Sequence, residues 1–131
     1  MTFLDPHAAY RRAQEDAARV PEDPHGIIQF TLQELERSMR VLAASAGAGR
    51  ALPETHLSRA LTALYILQSS LDFETGGELA DNLFTVYEFA RQQVLTGFQP
   101  APSGPGMERA ATLIAEIAAA WARIAPQPRA A

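Results

Sequence analysis

No cysteine occurs among the 131 residues, so a disulfide framework, a thiolate metal site and a cysteine nucleophile are excluded together. Lysine is absent as well: all eleven basic residues are arginine, set without any block against fifteen acids, for a net charge of −4. A nucleic-acid binder needs a concentrated basic footprint, and the sequence offers none. Apolar runs such as Ala63 to Leu67 are far too short to span a bilayer. The N-terminus contains Asp5 and no apolar core of signal-peptide length. A cytoplasmic protein without membrane insertion is therefore expected.

What is present favours helix. The hydrophobic share of 47% is rich in alanine and leucine, both strong helix formers. The length suits a single domain, residues 1–131, with its own core. Asp5-Pro6-His7 and Asp23-Pro24-His25 each set an acid able to cap orphan amides before a proline that fits a first helical turn. The first predicts a short helix within residues 1–22, ended by Pro21. The second opens a long helix whose Ile28, Leu32, Leu35, Met39 and Leu42 form one stripe, interrupted at Gly47 and Gly49.

A third helix is predicted from near Pro53, with Leu57, Ala60, Leu61, Leu64, Leu67 and Leu71 on one side, stopping near Phe73. Gly76-Gly77 predict the turn that follows, with Glu78 and Asp81 at the positive end of a fourth helix. That helix is read as carrying a stripe of Leu79, Leu83, Val86, Ala90 and Val94, widened by Tyr87. Three prolines and two glycines between residues 99 and 106 predict an irregular linker. Beyond it Met107, Ala110, Ile114, Ile117, Trp121 and Ile124 repeat at three- and four-residue steps. The expected fold is all-α: an antiparallel four-helix bundle with the short N-terminal helix laid over one groove.

The residues able to carry chemistry assemble no site. Glu22-x-x-His25 has the spacing of a di-iron ligand pair, but such bundles need two pairs and further inward carboxylates, and Pro24 interrupts this one. His7, His25 and His56 lie near helix starts and read as surface or capping residues. Gly47-x-Gly49 lacks the preceding strand and the lysine of a phosphate loop. Ser69 and Ser70 have no adjacent base, and their small size suits close helix packing. Asp72, Glu74 and Glu78 are read as capping and turn residues. No catalytic, metal or cofactor site is expected. Large apolar residues are instead in surplus: Phe30, Tyr65, Ile66, Phe73, Phe84, Phe89, Leu95, Phe98 and Leu113 fall off the ideal core positions. They either widen the core or line grooves for an amphipathic partner helix.

The segment from Leu67 to Phe89 closely resembles the signature of the flagellin export chaperones, the bacterial flagellar secretion chaperone family. Its pattern is Ser-Leu-Asp at 70–72, then Glu74, Gly76-Gly77-Glu78, Ala80, Asn82-Leu83 and aromatic residues at Phe84, Tyr87 and Phe89. Weaker echoes are Ala9-Tyr10, Pro24 and Trp121. The resemblance implies a cytosolic chaperone that holds the disordered C-terminal region of flagellin, prevents early polymerisation and assists delivery to the flagellar export apparatus. Export-gate or regulatory proteins are the further partners it suggests, and a divergent adaptor for another assembly or regulatory protein is the alternative. It points to Tyr10, Leu71, Phe73, Phe84, Tyr87 and Phe89 as partner contacts. Asp72, Gly76, Gly77 and Asn82 are expected to fix the turn, Asp72 and Asn82 through local hydrogen bonds. Two departures from the family pattern stand out, Leu32-Gln33-Glu34-Leu35 on the first long helix and the proline-rich linker.

Overall fold

The computed structural model describes residues 23–99 and 104–124; the expected N-terminal helix and Tyr10 lie outside them. Four helices account for nearly all of the described chain: α1 (Pro24–Gly47), α2 (Glu54–Ser69), α3 (Phe73–Thr96) and α4 (Gly104–Arg123). The start of α1 follows the sequence logic. Asp23 Oδ2 accepts a hydrogen bond from the Gly26 amide at 2.8 Å, and Pro24 occupies a position where no amide donor is required. Its end is a Schellman turn, in which the Arg50 and Gly49 amides donate to the Ser45 and Ala46 carbonyls and Gly49 adopts φ 68°.

Two boundaries differ from expectation. α2 ends at Ser69, ahead of Phe73, because Asp72 draws the chain into a new helix: its Oδ1 accepts from the Thr75 amide at 3.0 Å. Ser70 is exposed and serves the end of α2, its hydroxyl donating to the Ile66 carbonyl at 2.7 Å, which replaces the packing role expected of the serine pair. The last three residues of the expected linker are helix. α4 begins at Gly104, and Pro105 lies in its first turn, where the missing N–H leaves no bond unmade.

Each helix packs against two others, in the cycle α1–α2–α3–α4–α1, while the diagonal pairs do not approach. The start of α1 meets the end of α4 through His25 and Trp121. The end of α3 meets the start of α2, where a methyl group on Gly97 would stand 2.5 Å from Leu57 Cδ2. One core joins all four helices. Leu32, Leu35, Met39 and Leu42 from α1, Leu57, Ala60, Leu64 and Leu67 from α2, and Met107, Ala110 and Ile114 from α4 are buried as their spacing predicts. Each leucine among them contributes about 1.5–3 kcal/mol by leaving water. Ile124, the last residue of the α4 stripe, falls beyond the core and is 52% exposed.

α3 corrects the sequence reading most. Its inward stripe is Ala80, Leu83, Tyr87, Ala90 and Val94, at steps of three and four, with Leu83 half-buried and the others buried. Leu79 is 66% exposed. Gly77 breaks the helix two residues earlier, with φ 51° and ψ −126°; beyond it Leu83, Ala90 and Val94 keep their expected inward places, while Ala80 and Tyr87 take those of Leu79 and Val86.

His25 is no simple surface or capping residue. Its ring stacks on Trp121 with centroids 4.9 Å apart and planes 15° apart. Trp121 Nε1–H donates to the His25 carbonyl at 2.9 Å, and His25 Nε2 lies 3.2 Å from the Trp121 carbonyl. A carbonyl only accepts, so Nε2 carries the hydrogen. The first turn of α1 is thus tied to the last turn of α4. His25→Ala is expected to cost about 1 kcal/mol, the stacking contribution, read as a lower midpoint in urea. His56 is also engaged, its Nδ1 standing 3.2 Å from Oγ of buried Ser38 on α1.

Candidate partner-binding surface

Of the exposed large apolar residues, Phe73, Leu79 and Phe84 lie on the first half of α3 and Tyr65 and Ile66 near the end of α2, while Ile27, Leu95, Phe98 and Ile124 lie elsewhere. In a straight helix Phe73 and Phe84 would be separated by roughly 16 Å of rise. Their ring centroids are 6.0 Å apart in an edge-on arrangement, because the break at Gly77 folds the turn that begins at Phe73 back along α3. Phe73 is 47% and Phe84 41% exposed, so the pair forms an aromatic corner open to solvent. Soluble proteins rarely leave adjoining aromatic rings exposed unless something covers them.

From Phe84 the surface continues along the outward face of α3. Phe84, Thr85, Glu88, Phe89 and Gln92 line an open depression of about 300 Å³, with one phenylalanine at each edge. Phe89 is half-buried and packs against the core. Beside it, toward α2, Gln68 Nε2 donates to Glu88 Oε2 at 3.0 Å and Arg91 Nε donates to the same oxygen at 2.9 Å. Leu61, Tyr65 and Gln68 share one face of α2 by their four- and three-residue steps, so the Gln68 bond turns that face toward α3. Tyr65 therefore flanks the same surface, strongly exposed.

The hydrogen bond from Arg91, followed by that from Gln68, pulls the Glu88 carboxyl from its ordinary 4.5 down to about 2, against the opposing effect of burial. Its side chain is 28% exposed. A depressed acid stabilises the fold above its unfolded pKa and loses that contribution as pH falls through the folded one. Glu88→Gln should therefore flatten the fall in stability between about pH 4.5 and pH 2, as measured by urea unfolding at stepped pH. Asp72 is also held below its ordinary value, first by the Thr75 amide.

Several of the sequence-nominated residues come together here. Phe84 and Phe89 line the depression, Phe73 stands against Phe84, and Leu71 is half-buried against the core. Tyr87 does not join them: it is 3% exposed and belongs to the core, on the inward stripe of α3. Asp72 caps α3 and Gly77 makes the break, as residues that shape the turn. Asn82 lies exposed on α3, beyond the break, and makes no side-chain hydrogen bond to a described residue. Tyr65 is among the residues expected to widen the core or line a groove, and it takes the exposed place; Glu88 is unassigned by the sequence, since only the contact between α2 and α3 brings it to Gln68. Among the described residues no group of three or more potential ligands gathers to hold a metal, and no helix is long and apolar enough to cross a membrane.

The chain matches the family model of the flagellar protein FliS over residues 6–128. It is also 28% identical over 120 residues to the flagellar secretion chaperone FliS of Vibrio cholerae, covering 91% of this chain and 88% of that relative. No solved structure gives a significant match.

Proposed function

The chain belongs to the FliS family of flagellar proteins, and on that footing we propose that it is a cytoplasmic export chaperone for flagellin. It binds the disordered C-terminal region of flagellin, keeps it from polymerising and presents it to the export apparatus, with no catalytic step. The observation that carries this reading is the solvent-open aromatic corner of Phe73 and Phe84, continued by the depression up to Phe89. A disordered segment that folds on binding needs apolar sites spaced along a rigid surface, and a helix of this bundle offers them. The contacts of α3 with α2 and α4 support the reading, because they make α3 a braced platform. Residues 1–22, with Tyr10, then act as a cover over part of this surface.

Calorimetric titration with flagellin, and with flagellin lacking its C-terminal region, tests the proposal. Full-length flagellin should bind with a negative heat-capacity change, and the truncated form should not bind. Phe84→Ala should raise Kd about thirtyfold, the effect of losing a contact of about 2 kcal/mol. Absence of binding by both flagellins would sink the flagellin reading and turn the search to an adaptor's client.

A further inference from the structure

The net negative charge of this protein is concentrated where its aromatic surface lies. Between residues 60 and 90 there are five acids, Asp72, Glu74, Glu78, Asp81 and Glu88, and no arginine. The rest of the chain, with ten acids and eleven arginines, is one charge positive. Glu88 is already matched by Arg91. The other four make no salt bridge to a described residue. Asp72 and Glu74 flank Phe73 in sequence, and Asp81 precedes Phe84 by three residues on the same helical face. Glu78 stands one turn before Asp81 on that face, and all four are exposed.

Carboxylates beside exposed aromatic rings select for what can dock there. A purely apolar segment would leave them facing a dry interface, and an acidic one would be repelled. A second copy of this chain would bring the same acids. Residues 1–22 hold four acids and three arginines and offer no compensating charge. We infer that the α3 face receives a basic amphipathic segment of a partner protein, with one aliphatic side chain in the depression between Phe84 and Phe89 and lysine or arginine side chains facing Asp72, Glu74, Glu78 and Asp81. This rests on the reading of the α3 face as the client-binding surface, and adds the charge of what it binds. Exposed acids beside the aromatic corner also accelerate capture of such a segment from a crowded solution.

Two fluorescein-labelled synthetic peptides of about 18 residues, about five helical turns, provide the probe. Both carry leucine at heptad spacing; one has lysine at the flanking positions and the other glutamate. By fluorescence anisotropy the lysine peptide should bind the full-length chain at least about tenfold more tightly, with an advantage that shrinks as salt rises. The double substitution Glu78→Lys with Asp81→Lys should reverse the order. Its neutral counterpart, Glu78→Gln with Asp81→Asn, should narrow the difference without the strain of lysine at a helix start. A matched swap on α4, Glu108→Lys with Glu116→Lys, changes net charge equally and should leave the order intact. Equal binding of the two peptides, or an α4 swap that acts like the α3 swap, overturns the inference. The flagellin titration reports separately: flagellin binding without peptide discrimination removes the charge inference alone, and discrimination without flagellin binding removes the flagellin reading alone.

Discussion

Tyr87→Ala is expected to destabilise the protein by about 3–5 kcal/mol, the range for deleting a buried aromatic side chain. For a chain of this length that lowers the melting temperature by roughly 10–20 °C. Tyr87 is 3% exposed and packs in the core shared by all four helices, so alanine leaves a cavity that the braced helices close only in part. Tyr87→Phe keeps the ring. The phenol makes no side-chain hydrogen bond to a described residue, and no buried side-chain polar atom among those residues is orphaned, so phenylalanine should cost less than about 1 kcal/mol. Burial pushes the Tyr87 phenol from 10 up to about 12. An acid whose pKa is raised on folding stabilises below its unfolded pKa and loses that contribution as pH climbs through the folded value. Stability should therefore fall between about pH 10 and pH 12 more steeply in the native protein than in Tyr87→Phe. Thermal melts at stepped pH check both parts. If Tyr87→Ala melted within a few degrees of the native chain but lost flagellin, Tyr87 would be a contact residue and its inward placement wrong.

The contrast between Tyr87 and Phe84 shows what a one-dimensional pattern can and cannot carry. α1 was legible because its signals agree: Asp23 and Pro24 mark the start, Gly49 marks the end, and leucine and methionine recur on one face between them. α4 was legible in its stripe but not in its start, since Pro105 suits a linker and a first helical turn equally well. On α3 the periodicity was readable and its phase was not. Ala80, Leu83, Tyr87, Ala90 and Val94 compete with Leu79, Leu83, Val86, Ala90 and Val94, and the second set is the more hydrophobic. The two sets share Leu83, Ala90 and Val94 and differ by one position at 79/80 and at 86/87, a difference that spacing alone does not decide. The His25–Trp121 tie is invisible for another reason: 96 residues separate the partners, and neither side chain departs from what an ordinary helix end or stripe contains.

The aromatic residues nominated as partner contacts divide in the fold. Phe73 and Phe84 stay outside, Tyr87 goes in, and Phe89 sits between. The 3.6-residue turn sets Phe84, Tyr87 and Phe89 at three different angles around α3, with Tyr87 nearest the core and the two phenylalanines to either side. Their joint presence in the family pattern therefore mixes two demands, a packed interior and an exposed binding strip. Substitutions at the two kinds of position should separate cleanly into loss of stability and loss of client.

Gly77→Val should lower stability by about 3 kcal/mol, near the upper end of the cost of holding a side chain in a backbone region reserved for glycine. The argument turns on ψ. Gly77 has φ 51° with ψ −126°, far from the left-handed helical well near ψ +47° that asparagine tolerates. Gly77→Asn should thus be as harmful as Gly77→Ala, whereas Gly49→Asn, in a Schellman turn that uses the left-handed well, should cost less than about 1 kcal/mol. Gly76 matters for a different reason. A Cβ there would stand 2.9 Å from Ala80 Cβ, because the break brings the folded-back turn against α3, so Gly76→Val should also destabilise, by collision rather than by backbone strain. Both changes displace Phe73 from Phe84 and should weaken flagellin binding along with the fold. Phe73→Ala separates the two effects, since it removes the ring from the corner while leaving the break intact, and should reduce affinity with a melting temperature close to native. A melting temperature unchanged by Gly77→Val would show that the break is not needed to build the corner, and the glycine pair would then need another explanation.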